Sequence, residues 1–118
     1  MKFLNPSEPD SEDFFQVCKL SDLKEKQGRK FIVNEVQIAV FKIGENVFAL
    51  NNVCPHQHSA IIYDGFIEDD CIVCPAHGWK FRLTDGKLPS GSKGLDSYKV
   101  KILNEFIWIK VIQKKFNW

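Results

Sequence analysis

Two short blocks carry most of the chemistry in this chain: Cys54-Pro55-His56 and, after residues 57–73, Cys74-Pro75-Ala76-His77-Gly78-Trp79. Each offers one thiolate sulfur and one imidazole nitrogen. Zinc accepts two cysteines and two histidines, but its modules usually pair like ligands as Cys-x2-4-Cys and His-x3-5-His. Here each block mixes the two types, and one spacer is a single residue. That pattern suits a centre of two metals, with sulfur on one and nitrogen on the other. Proline after each cysteine fixes φ near −65° and holds a turn. Gly78 stands where a backbone close to a metal centre tolerates little side chain.

Neighbouring residues offer decoys. Cys71-Ile72-Val73-Cys74 spells Cys-x-x-Cys, but on a strand an offset of three places side chains on opposite faces, so Cys71 reads as a buried strand thiol. Cys18 reads as a small apolar residue of the first strand. His58 follows His56 by two positions, and the Cys-x-His spacing favours His56 as ligand. His58 then reads as an exposed loop residue.

The elements that must position these blocks read as all-β. Phe14–Leu20 reads as a first strand and Ser21–Glu25 as one capped helical turn closed by Gly28. Phe31–Val33 and Val36–Ile43 flank Asn34-Glu35, a tight hairpin signal. Gly44-Glu45-Asn46 turns the chain into Val47–Leu50. Thr84–Lys87 is another turn, and Pro89–Gly94 is a glycine-rich loop. Tyr98–Leu103 and Phe106–Ile112 close the chain as a hairpin about Asn104-Glu105. These runs favour β-branched and aromatic residues, and no helical period or internal repeat appears. Phe116 and Trp118 are expected to cover one end of the β structure.

At 118 residues the chain is expected to form one domain over 14–118, preceded by a flexible acidic arm over 1–13 that carries Glu8, Asp10, Glu12 and Asp13. Lys110, Lys114 and Lys115 make the other end basic. A formal net charge of +1 gives no reason to expect a nucleic-acid partner or a membrane surface. No apolar run exceeds four residues, far short of a membrane span, and the start lacks a signal-like apolar region. Of four cysteines, Cys18 and Cys71 fall outside the blocks and read as reduced thiols. A cytoplasmic location is expected.

On both blocks together the chain resembles the Rieske [2Fe–2S] ferredoxins. Val47–Val53, Trp79-Lys80-Phe81, Asp85-Gly86 and Gly94–Val100 extend that resemblance over about Phe14–Val111, where it also covers the small subunit of NAD(P)H-dependent nitrite reductase. It implies an antiparallel β-sandwich or barrel, with a small cluster-binding subdomain at about 52–92 carrying two ligand loops. It implies one [2Fe–2S] cluster with Cys54 and Cys74 on one iron and His56 and His77 on the other. The imidazole edges would face solvent, ringed by Gln57, His58, Ala76 and Trp79 as a docking face. High-potential Rieske proteins add a disulfide between the loops and hydroxyls near sulfur. Here Ser59 and Ala76 stand in place of those cysteines, with Trp79 and Phe81 in place of the hydroxyl residues, which implies a low potential. Ser92 departs from a proline frequent in the loop that covers the cluster.

The functions implied are a soluble carrier between a flavin reductase and a terminal oxygenase, or a fixed subunit on a large nitrite reductase partner. A non-redox interaction module is disfavoured because all four ligands are present. The length leaves no room for the mononuclear-iron catalytic domain of an oxygenase, and no other catalytic group is expected.

Overall fold

The structure, a computed structural model, describes residues 14–54, 59–76 and 78–111. Strand β1 (Phe14–Lys19) enters a single 3-10 turn at Leu20–Asp22, and β2 (Gly28–Val33), β3 (Val36–Ile43) and β4 (Asn46–Asn51) follow as a meander. Five short strands come next: β5 (Val53–Cys54), β6 (Ser59–Ala60), β7 (Phe66–Glu68), β8 (Cys71–Val73) and β9 (Lys80–Arg82). A second 3-10 turn, Ile62–Asp64, lies between β6 and β7, and β10 (Ser97–Tyr98), β11 (Val100–Leu103) and β12 (Phe106–Lys110) close the described chain. The architecture is all-β and antiparallel. One sheet has the order β1-β12-β11 and a second β10-β4-β3-β2, while β5-β6 and β7-β8-β9 form two small sheets.

The β2–β3 meander is set by its turns. Asn34 and Glu35 both take positive φ, 51° and 67°, as the type I′ turn of a two-residue hairpin requires. Asn104 and Glu105 repeat this between β11 and β12 at 51° and 69°. The expected helical turn at Ser21–Glu25 is shorter and earlier. The Asp22 carboxylate accepts the Lys19 N–H at 3.0 Å, and Leu23 N–H closes on the Leu20 carbonyl at 3.1 Å. Glu25 then bridges to Lys42, and Gly28 opens β2 rather than capping a helix. The strand expected at Tyr98–Leu103 is divided at Lys99, where the chain changes sheets: β10 pairs with β4 and β11 with β12.

The central sheet is buried on both faces, which explains the unbroken apolar run Ile38-Ala39-Val40-Phe41. Ile38, Val40 and Ala49 pack with Ile107 and Ile109 of the first sheet and with Val111 just beyond it. Ala39, Phe41 and Leu50 face the other way and pack with Ile62, Ile72, Phe81, Leu83 and Leu95. The second core lies beneath the two cysteine blocks. Outer strands carry cations laid over aromatics: Arg29 over Phe31 at 5.1 Å, Lys30 over Tyr63 at 5.1 Å and Lys101 over Phe14 at 4.8 Å. No helix among the described residues is long and apolar enough to cross a membrane.

Candidate metal centre

Cys54 ends β5 and Cys74 directly follows β8. Both thiols are 1% exposed and belong to the same core as Phe41 and Phe81. Each cysteine begins a loop whose base is closed by backbone pairing. Cys54 pairs with Ser59 across β5-β6, so residues 55–58 form the connection. Cys74 N–H donates to the Trp79 carbonyl at 2.8 Å, and Gly78 N–H returns to the Cys74 carbonyl at 2.9 Å. His56, Gln57, His58 and His77 lie outside the described residues, as do the acidic arm and the terminal aromatics. The structure brings Cys54 and Cys74 into one buried core.

The φ of Gly78 is +76°, and a Cβ there would meet no atom of the described residues within 4 Å. The residue is needed to turn the backbone through the left-handed region and close the loop on Cys74. Trp79 is 38% exposed and Phe81 fully buried. Their rings lie 6.4 Å apart, so the exposed indole rests against a side chain rooted in the core.

Cys71 and Cys18 sit apart from this arrangement. Cys71 lies within β8, paired in register with Arg82, and burial pushes its thiol pKa up. Cys18 is half-buried on β1, where burial first and the Asp22 carboxylate second raise its pKa to about 11, against a smaller opposing pull from Arg29. Neither thiol belongs to the buried core that Cys54 and Cys74 share.

Sequence reasoning passed over the residues that carry β5. The Asn51 side chain accepts the Val53 N–H at 2.9 Å through Oδ1 and donates to the Tyr98 hydroxyl at 3.0 Å through Nδ2. Asn52 is fully buried, and its Oδ1 accepts the Tyr63 N–H at 2.8 Å. Its Nδ2 has no hydrogen-bond partner among the described residues. The available signal was a pair of adjacent asparagines just before a cysteine block, since Asn side chains bond locally to backbone at strand ends.

The donor set fits an iron–sulfur cluster: two thiols shielded from water in one core, each at the closed base of a loop bearing a histidine position. Residues 13–110 match the model of the Rieske-like [2Fe–2S] domain. The chain belongs to that family. Its cofactor is the [2Fe–2S] cluster and its chemistry electron transfer. Among relatives, this Rieske-like chain is 27% identical to the ferredoxin component of the alkene monooxygenase system of Xanthobacter autotrophicus, over 81% of its own length and 80% of that protein's. It is 30% identical to the cholesterol 7-desaturase of Drosophila melanogaster over 99% of its own length, and spans only 30% of the desaturase. The solution structure of a nitrite reductase [NAD(P)H] small subunit from Erwinia carotovora superposes with a TM-score of 0.73 at 26% identity, covering 90% of this chain and 87% of that one.

Proposed function

We propose that this Rieske-like domain is a low-potential ferredoxin component, cytoplasmic, which passes single electrons from a flavin reductase to a terminal oxygenase. Its cluster is held by Cys54 and Cys74 on one iron and by His56 and His77 on the other. The observation that carries this reading is the common burial of Cys54 and Cys74, each 1% exposed, in one core at the bases of two closed loops.

The cluster supplies a one-electron couple. Cys54 and Cys74 give soft anionic ligands and keep water from the sulfur side. His56 and His77 are neutral ligands where thiolates would each add a negative charge, which raises the potential above that of an all-cysteine centre. Trp79 and Phe81 bring no hydroxyl toward sulfur, so the reduced state gains fewer hydrogen bonds than in high-potential relatives. The midpoint therefore belongs near about −150 mV, at the bottom of the Rieske range. The exposed Trp79 and Ala76, with Gln57 and His58, form the docking face for both redox partners.

A second reading is supported by the extent of the match to the Erwinia carotovora small subunit: a fixed subunit seated on a large nitrite reductase chain. The two part on stoichiometry. A carrier binds its partners weakly and in a salt-sensitive manner, whereas a subunit co-purifies in equal amounts.

The test is electron paramagnetic resonance of the anaerobically purified, dithionite-reduced protein. A rhombic signal with the low average g of a mixed nitrogen and sulfur set is expected. It should be lost in Cys54→Ser and His77→Ala and retained in Cys71→Ser and His58→Ala. A colourless protein holding one zinc overturns the ligand assignment, and a strongly positive midpoint overturns the low-potential assignment.

A further inference from the structure

Asn52 is the one buried polar residue among those described, and it stands where three parts of the fold meet. Its N–H donates to the Gln37 carbonyl of β3 at 3.0 Å, and its own carbonyl accepts the Ile62 N–H at 3.2 Å. Its Oδ1 takes the Tyr63 N–H at 2.8 Å. The second 3-10 turn is thus clamped to the residue that begins the approach to Cys54. Asn52 sits at the bend between β4 and β5, two residues before Cys54, and both side chains are buried.

The clamp also reaches the second block. Gly65 N–H closes the same turn on the Ile62 carbonyl at 3.0 Å. Phe66 then pairs with Val73, the residue before Cys74. The chain from Asn52 through Tyr63 and the β7-β8 ladder therefore ends at Val73, the residue before Cys74. It links the segments that carry the two cysteines, which are far apart in sequence.

We propose that Asn52 is a positioning residue for the cluster, its Oδ1 setting the register of Cys54 relative to Cys74. The proposal rests on the reading of these two cysteines as ligands. The amide orientation is fixed because Oδ1 must face the Tyr63 N–H. Among the described residues Nδ2 has no partner, and Oδ1 is the atom that makes the contact. An aspartate at this position keeps the acceptor, and burial favours its neutral carboxyl form.

The test compares three variants in the full chain: Asn52→Ala, Asn52→Asp and Asn34→Ala. Asn34 is the control, since its Nδ2 bonds the Val111 carbonyl at 3.0 Å, within the core shared by the two larger sheets. Cluster release on dilution with chelator, g values and midpoint potential are read beside thermal stability. Asn52→Ala is expected to release its cluster roughly tenfold faster, on the scale of outer-shell substitutions at metal sites, and to shift the g values. Asn52→Asp is expected to restore both. Asn34→Ala is expected to lower stability with wild-type g values. The proposal is overturned if Asn52→Ala keeps wild-type release and g values, or if Asn52→Asp behaves like Asn52→Ala. Should the wild-type protein itself lack the mixed-ligand signal, the ligand reading fails instead, which is a separate result.

Discussion

Replacing Gly86 with alanine probes how the loop after the second block is held down. Gly86 has φ +76°, and a Cβ there would run into the Leu95 carbonyl. Two costs combine. Left-handed backbone on an alanine costs about 1–2 kcal/mol. Pushing Leu95 away also strains the 2.7 Å bond from Leu95 N–H to the Gly86 carbonyl, a loss of about 0.5–1.5 kcal/mol. Together they amount to about 1.5–3.5 kcal/mol. A domain of this size loses about 4–8 °C of Tm per kcal/mol. Gly44→Ala supplies the comparison, because Gly44 has φ +60° but nothing within 4 Å of an added Cβ. Its cost is the backbone term alone, and in both variants a stiffer unfolded chain offsets about 0.4–1 kcal/mol, which brings the net loss for Gly86→Ala to about 0.5–3 kcal/mol. Thermal and urea unfolding of both variants, followed by far-ultraviolet circular dichroism, measures the difference. Equal Tm losses for the two variants would refute the claim that close backbone packing, and not φ alone, demands glycine at 86.

Glu105→Gly should stabilise the domain, since Glu105 sits at φ 69° in the β11–β12 turn. Relief of left-handed strain, less the entropy of a freer unfolded chain, leaves a gain of a few tenths to about 1 kcal/mol, seen as a higher urea midpoint; a lower midpoint contradicts it. Cys18, with its pKa raised to about 11 from 9.0, should react with iodoacetamide at pH 8 about a hundredfold more slowly than an ordinary thiol, because thiolate sets the rate. Mass spectrometry of labelled Cys18 checks this, and the same shift means that folding favours the protonated thiol. Stability from this group is therefore full below pH 9 and falls as the pH climbs toward 11.

Much of this was legible in the residues, and the losses have physical causes. The turns at Asn34-Glu35 and Asn104-Glu105 were readable because a two-residue loop between apolar runs leaves little choice of geometry. Strands β5 to β9 were not, since runs of two or three residues are too short to show a period of two. The Asp69-Asp70 turn, with φ 53° and 62°, escaped for the same reason: its flanking strands are three residues each. The break at Lys99 was hidden because a change of sheet leaves no mark in alternation; Lys110 N–H still bonds the Lys99 carbonyl at 2.9 Å. At the candidate metal centre, residue type and spacing singled out Cys54 and Cys74, the pair the structure brings into one core. Asn52 was invisible because its importance lies in partners distant in sequence, the backbone of Gln37, Ile62 and Tyr63.

Among the described residues, β2 and β11 are outermost strands of the two larger sheets, and an unpaired strand edge is a template for adding a further chain. Arg29, Lys30 and Lys101 stand on those two strands, each stacked on a ring, and two approaching copies would have to bring like charges together. Acetylation would remove the charge of the two lysines and leave only that of Arg29 on these edges.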